Sequence, residues 1–189
     1  VENGEIGRIA YLKADFAFYG LDRDEKGRVL NPDLAGGTIL DIGIYPIFLS
    51  YLMLGMPKKI TAQSQFYKTG IESQTSMIFE YENAQALLFS GLASNSEMKA
   101  EIAGSTGSLF INPRWHEASS YVLEKNGASE HIEVEKNGKG YTYEIAEVAR
   151  CINAGQLESK LWSHQNTTDL CTLLDTVREK AGIRFPFEG

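Results

Sequence analysis

Cysteine, histidine and proline are scarce in this chain of 189 residues, which has two cysteines, three histidines and five prolines. Cys151 and Cys171 form no CxxC pair, and no histidine stands at ligand spacing from a cysteine or carboxylate, so we expect no metal site. Each cysteine falls among the apolar positions of a predicted helix. This pattern favours two buried free thiols in a reducing compartment, and we therefore expect a cytoplasmic protein.

Positive charge and long apolar runs are also limited. Lys and Arg total 18 against 25 Asp and Glu, and the net charge is −7. An acidic chain repels phosphate backbones, so nucleic acid is not an expected partner. The longest apolar stretch, residues 42–56, is broken by two glycines, a proline and a serine. It is too short and too interrupted to span a bilayer, so no membrane partner is expected.

Glycine-rich phosphate loops are missing as well. The nearest approach to G-x-G-x-x-G, at residues 138–143, lacks the third glycine and follows a half-polar strand. The chain contains neither a P-loop nor a G-x-S-x-G elbow. We therefore expect neither a dinucleotide-binding domain nor a hydrolase nucleophile within these residues.

Short apolar and alternating runs are abundant, and they predict strands. The predicted strands are residues 7–19, 60–67, 75–81, 86–92, 98–102, 108–111, 121–123 and 131–134. Asn126-Gly127 is a strong hairpin signal. Helices are predicted at residues 39–54, at residues 143–153 and from a Ser163 cap to Gly182. The order predicts one α+β domain over residues 1–189: a mostly antiparallel open sheet, built as a meander, with helices packed on one face. The other face is then either solvated or an interface.

All three predicted helices have apolar faces that we expect to be buried. The faces consist of Leu40, Ile44, Ile47, Phe48, Tyr51 and Leu52 in the first helix, of Ile145, Val148, Ala149 and Ile152 in the second, and of Leu170, Leu173, Leu174, Val177 and Ala181 in the third. Pro46 conflicts with a regular helix interior. Either the regular helix begins near residues 41–43, with Pro46 in its first turn, or the helix kinks at Pro46.

The segment at residues 35–46 is the densest in groups that support chemistry. Gly36 and Gly37 allow another backbone or a flat ligand to approach closely. Asp41 and Tyr45 are four residues apart and share a face if both are helical. A carboxylate and a phenol on an apolar helix are costly unless each is partnered. They either serve a site together, or Asp41 caps the helix and Tyr45 is a core aromatic.

The pattern Gly36-Gly37-x-x-x-Asp41-x-Gly43-x-Tyr45 resembles the signature of the Gfo/Idh/MocA oxidoreductase family. Weaker matches follow the family's order at residues 4–7, 55–60, 104–109 and 175–183. Family members join an N-terminal Rossmann domain to a C-terminal domain of the kind predicted above. The chain begins without Met, so we expect the C-terminal part of a longer protein, with the Rossmann domain absent from this chain.

The resemblance implies hydride transfer between NAD or NADP and a sugar, polyol or cyclic alcohol. It assigns Tyr45 as the proton donor or acceptor at the reacting oxygen and Asp41 as its neighbour, with a lysine supplied by the Rossmann domain. It implies cofactor contact at Gly36 and Gly37, although the absent domain binds most of the cofactor. It also implies a homo-oligomer, dimer or tetramer, that pairs through the sheet face.

Arg114, Trp115 and His116 follow a strand and a proline. An aromatic ring beside hydrogen-bond donors suits a carbohydrate face, so these three residues are our candidate substrate-binding residues. A surface turn is the alternative for this loop. Two other functions stay open for the whole chain: a non-catalytic sugar-sensing domain, and an oligomerisation domain in which Asp41 and Tyr45 are purely structural.

Overall fold

A computed structural model describes residues 1, 3–138 and 140–188, and an eight-stranded open sheet forms its centre. The strands are β1 Ile9–Ala17, β2 Lys59–Phe66, β3 Glu72–Glu80, β4 Gln85–Gly91, β5 Ala100–Gly104, β6 Gly107–Ile111, β7 Ser120–Lys125 and β8 Ala128–Glu133. The helices are α1 Ile44–Leu54, α2 Tyr141–Asn153 and α3 His164–Ala181. A π-helical turn, Ile39–Gly43, leads directly into α1, and we call it the π-turn.

The order of strands differs from the predicted meander. β1 lies between β4 and β5, and the order across the sheet is β2-β3-β4-β1-β5-β6-β7-β8. β1 pairs parallel to β4, whereas the other neighbouring pairs are antiparallel. The meander was wrong for β1 because turn signals identify only strands joined by short loops, and a long connection separates β1 from β2. The α+β class is confirmed, with a mixed sheet.

The core lies between one face of the sheet and two helices. Leu12 and Ala14 of β1 are fully buried there, together with Phe79 of β3. α1 packs against β1 and β4, while α3 packs against β2 and α1. Because β1 is central and α1 crosses it, the beginning of α1 is held over the middle of the sheet.

The start of α1 settles the question raised by Pro46. The regular helix begins at Ile44, so Pro46 falls in its first turn, where a proline is tolerated. Gly55 ends the helix with a φ of 72°, and its N–H bonds to the carbonyl of Tyr51. The predicted apolar face is only partly buried, because Leu40 and Leu52 are 39% and 50% exposed.

The segment from Pro32 to Leu54 is long and apolar enough to cross a membrane by length and composition, which corrects the expectation that its apolar stretch is too short and too interrupted. Slightly more than half of its most apolar window is buried inside the protein. Ile39 and Ile47 have no exposed surface and belong to the main core. A buried core helix accounts for the composition of this segment.

Local signals in the second half of the chain are confirmed. Asn126 and Gly127 have φ angles of 54° and 76°, as a primed hairpin turn requires. Ser163 and Asn166 form a reciprocal capping box at the start of α3, and Gly182 ends that helix with a left-handed φ of 71°. The glycine-rich near miss at residues 138–143 includes Lys139, which lies outside the described residues.

The predicted buried face of α2 is wrong. Tyr141, Ile145, Val148 and Ile152 lie on one side of the helix and are 58–71% exposed, and we call them the apolar stripe. The polar side of α2 contacts the loop that follows it, through a hydrogen bond between Ser159 and Glu147. Amphipathic spacing shows that one side of a helix prefers burial, but it does not show what covers that side.

The two cysteines differ in their surroundings, which corrects half of the thiol prediction. Cys151, on the polar side of α2, is buried and free. Cys171 on α3 is free but exposed, although its neighbours Leu173 and Leu174 are buried. Helical spacing places Cys171 just outside the buried face of α3.

Candidate functional site

A groove of about 540 Å³ opens beside the start of α1. It is formed by the π-turn, the first turns of α1, the short loop after β6 and one residue of α3. The residues that line it are Leu40, Asp41, Ile44, Tyr45, Phe48, Trp115, His116 and Leu170. The walls are mostly apolar, and the carboxylate of Asp41, the phenol of Tyr45 and the imidazole of His116 interrupt them.

The π-turn explains how Asp41 and Tyr45 come to face the same groove. The amides of Ile42 and Gly43 both bond to the carbonyl of Thr38, at 2.9 and 2.8 Å, so the turn is wider than a regular helical turn. Asp41 lies within this turn, and Tyr45 lies in the first regular turn that follows. Tyr45 is 42% exposed, so neither a sealed core position nor a simple helix cap describes these two residues.

Arg28 pairs with the carboxylate of Asp41, and the sequence analysis did not find it. Its Nη1 and Nη2 donate to the two carboxylate oxygens of Asp41 at 2.8 and 3.2 Å. This bidentate pair fixes the plane of the carboxylate, and its hydrogen bonds raise the pKa of Arg28. Arg28 stands in a charged loop 13 positions before Asp41. No regular spacing links the two residues, so only the fold reveals the pair.

The predicted substrate-binding loop divides into two parts. Trp115 and His116 line the groove, whereas Arg114 pairs with Glu117 at 2.8 and 3.1 Å and its side chain is 61% exposed. The indole N–H of Trp115 donates to the carbonyl of Asp15 on β1 at 2.7 Å, which holds the loop against the sheet. The groove therefore contains the two aromatic members of the predicted trio.

His116 is packed among aromatic rings at the end of the groove. Its ring stacks on Phe16, with centroids 4.2 Å apart and planes at 17°, and it meets Tyr45 at 5.4 Å edge to face. Its side chain is 7% exposed. Burial lowers the pKa of His116, with the nearby Arg114 adding to the effect and Glu117 opposing it. The imidazole is therefore neutral near physiological pH.

We expect the stability of the chain to fall as the pH decreases below about 6.5, partly because of His116. In the unfolded chain the imidazole takes up a proton at a higher pH than in the fold, so unfolding binds a proton in that window. His116→Phe should flatten this slope, which for one proton is at most about 1.4 kcal/mol per pH unit. Urea unfolding at a series of pH values between about 5 and 8 measures this dependence of the free energy of unfolding on pH. His164→Phe, at an exposed histidine, is the control, and an equal change in both variants would contradict the assignment.

Gly36 and Gly37 are buried behind the groove, and each is approached by another part of this chain. A Cβ on Gly36 would lie 2.7–2.8 Å from the carbonyl oxygens of Arg28, Val29 and Asn31. A Cβ on Gly37 would lie 2.3 Å from the carboxylate of Glu72. The close approach inferred from the glycines is thus present, and groups of the protein make it. Cofactor contact at this pair stays a prediction.

The polar and aromatic side chains of the groove suit an organic ligand. Among residues 1, 3–138 and 140–188, no group of three or more His, Cys, Asp or Glu side chains is placed to hold a metal. The groove offers a phenol, a carboxylate and aromatic walls, which match the hydroxyls and the apolar C–H face of a polyol or cyclic alcohol.

Comparison with known proteins identifies sequences that are similar to this chain. The family model for the GFO/IDH/MocA C-terminal domain matches residues 1–110. The chain is 26% identical to scyllo-inositol 2-dehydrogenase (NADP(+)) IolU of Bacillus subtilis, over 96% of this chain and 57% of that protein. It is 28% identical to trans-1,2-dihydrobenzene-1,2-diol dehydrogenase of Xenopus laevis, with the same coverage. The chain thus spans somewhat more than half the length of these relatives.

The fold is also found among solved structures. Aldose–aldose oxidoreductase from Caulobacter crescentus superposes with a TM-score of 0.83 at 18% identity, over 96% of this chain and 56% of that chain. Such a similarity shows the shared fold, including the mixed sheet. With the family model matching more than half of its residues, the chain belongs to the Gfo/Idh/MocA family and corresponds to its C-terminal domain.

Proposed function

We propose that this chain is the substrate-side domain of an NAD- or NADP-dependent oxidoreductase that acts on a sugar, polyol or cyclic alcohol. One observation carries the proposal: Asp41 and Tyr45 line the same solvent-open groove in a chain of this family. The relatives named above are dehydrogenases of an inositol and of a cyclic diol, and one of them is named for NADP(+).

Tyr45 is the proposed proton donor or acceptor at the oxygen of the reacting carbon. A carbonyl that receives a hydride needs a proton on its oxygen, and an alcohol that gives up a hydride must lose one. The bound nicotinamide cofactor supplies or accepts the hydride. Asp41, held by Arg28, places a negative charge and a hydrogen-bond acceptor beside the phenol. It is therefore suited to bind a second substrate hydroxyl.

The apolar walls of the groove have two roles in this proposal. Trp115 offers a flat face against which the C–H groups of a sugar ring pack, and its hydrogen bond to the sheet fixes its orientation. Phe48 and Leu170 also line the groove, and in this proposal a bound substrate together with these side chains displaces water from the reacting oxygen. Low water content strengthens the electrostatic interactions of Tyr45 and Asp41 with the substrate.

The apolar stripe on α2 supports the proposal of a second domain. An exposed stripe of this width on one helix marks a contact surface rather than a free face. The relatives are longer than the chain by more than 40% of their own length. We propose that the protein containing this chain also has a nucleotide-binding domain of the Rossmann type, which corresponds to the part of the relatives that this chain does not cover. In this proposal it covers the stripe and supplies a lysine beside the catalytic tyrosine.

The open face of the sheet supports self-association. Ile78 on β3 and Leu87 on β4 are direct neighbours in register, and each is about 40% exposed. Phe89 and Phe110 line a recess on the same sheet. We propose that two copies of a cytoplasmic protein pair through this face, because an apolar sheet face is stable only when it is covered.

A dehydrogenase assay tests the proposed function. We expect a protein of the relatives' full length that contains this chain to reduce NAD or NADP when supplied with a panel of inositols, aldoses and cyclic diols. The absorbance of the reduced nicotinamide measures the rate. Sugar binding without turnover would support a sensing domain instead. Binding of neither sugar nor NADPH, measured by fluorescence titration, would leave only an assembly role.

A further inference from the structure

Glu72, the first residue of β3, is a buried carboxylate placed directly behind the π-turn. It is 2% exposed. Its Oε1 accepts hydrogen bonds from the backbone amides of Thr38 and Ile39, at 2.7 and 2.8 Å. These are the amides at which the π-turn begins, and they have no partner within the helix. One carboxylate oxygen from the sheet therefore fixes the entry into the segment that carries Asp41 and Tyr45.

Glu72 also accounts for the second glycine of the Gly36-Gly37 pair. The carboxylate lies so close to Gly37 that a Cβ there would be 2.3–2.4 Å from both of its oxygens. Gly37 has a φ of 115°, which side chains rarely adopt. The glycine and the carboxylate thus form a matched pair, in which the bare backbone makes room for the acid.

A second buried contact supports the same turn from β4. The hydroxyls of Thr38 and Ser90 lie 2.9 Å apart, and both residues have no exposed surface. Ser90 also lies against Gly43, at the other end of the π-turn. The turn is therefore attached to two neighbouring strands, by Glu72 at its beginning and by Ser90 near both of its ends.

The burial of Glu72 carries a cost that an apolar residue would avoid. Burial raises the pKa of Glu72, while the amides of Ile39 and Thr38 and the charge of Arg178 oppose that rise. A buried carboxyl is costly even when it is hydrogen-bonded. A rigid catalytic segment explains the cost, because a reacting group must be held within a fraction of an ångström.

We propose that Glu72 is a positioning residue, which sets the orientation of Asp41 and Tyr45 by fixing the first turn of their segment to the sheet. This inference rests on the proposed function for its catalytic consequence. Its geometric content is independent of that function, because it concerns where the two side chains stand in the folded chain.

The 189-residue chain itself tests the geometric content. Glu72→Met keeps the volume but removes the acceptor, and Glu72→Gln restores one acceptor oxygen. The control is Thr75→Val on the same strand, which removes the part-buried hydrogen bond to Ser64 and leaves the two hydrogen bonds of Glu72 to the turn in place. In NMR spectra we expect Glu72→Met to shift the Asp41 and Tyr45 resonances and to speed amide exchange at Thr38 and Ile39 by about 10-fold or more. Glu72→Gln should show smaller resonance shifts and slower amide exchange than Glu72→Met.

The same variants in the active oxidoreductase test the catalytic consequence. At a temperature where every variant is folded, we expect Glu72→Met to lower kcat by about 10- to 100-fold, with the KM for the cofactor unchanged and Thr75→Val near the parent. Resonances of Asp41 and Tyr45 that move no more in Glu72→Met than in Thr75→Val would overturn the proposal. So would equal kcat in those two variants, provided that Tyr45→Phe is impaired. If Tyr45→Phe is fully active, the proposed function fails, and the spectra alone decide the role of Glu72.

Discussion

Replacing Tyr45 by phenylalanine in the active oxidoreductase should lower kcat by about 10²- to 10⁴-fold, the usual contribution of general acid–base catalysis. The substitution removes only the hydroxyl. The ring keeps its contacts with Phe16, at 5.3 Å, and with His116, at 5.4 Å, so the groove keeps its shape. Steady-state kinetics measure kcat, and fluorescence titration with NADPH measures cofactor affinity, which we expect to be unchanged.

Tyr121→Phe is the matched control, because it removes a tyrosine hydroxyl from β7, outside the groove. We expect it to retain full turnover. A Tyr45→Phe enzyme as active as this control would remove Tyr45 from the chemistry. A loss of NADPH binding together with turnover would instead place the hydroxyl in cofactor recognition.

Gly36→Ala should destabilise the chain by about 3 kcal/mol or more, because overpacking against rigid backbone is among the costliest small changes. The new methyl group would stand 2.7–2.8 Å from three carbonyl oxygens, and none of these belongs to a flexible side chain. For a domain of this size we expect the melting temperature to fall by roughly 6–12 °C. Thermal unfolding followed by circular dichroism measures it.

Gly27→Ala provides the comparison within the same loop. Its Cβ would meet one backbone oxygen, at 3.1 Å, so we expect a much smaller loss of stability. The pair of variants also separates two explanations of the glycine motif. If Gly36 serves internal packing, the loss appears without any cofactor. If Gly36→Ala folds with parental stability and only cofactor affinity falls, the glycine instead makes room for the cofactor.

Much of the fold could be predicted because its signals are local. The Asn126-Gly127 turn and the Ser163 cap each depend on residues within a few positions of one another, and both were found where predicted. The place of β1 in the sheet depends instead on pairing with β4, more than 70 residues later. Turn chemistry contains no information about such pairing, so the parallel pair was missed.

The site was predictable only in part, for the same reason. Asp41 and Tyr45 are one helical turn apart, and that spacing indicates a shared face. Arg28 and Glu72 reach the same segment from a loop and from a strand, across 13 and 33 or more positions. Their roles follow from the fold, which brings a guanidinium to one side of the π-turn and a carboxylate to the other.

The apolar stripe has a consequence for the behaviour of residues 1–189 in solution. Four large apolar side chains on α2 face water in this chain, and we expect two such helices to associate through them. Purified material would then form concentration-dependent clusters unrelated to any pairing through the sheet. We expect the double substitution Ile145→Lys and Ile152→Lys to reduce this clustering. Neither residue lines the groove.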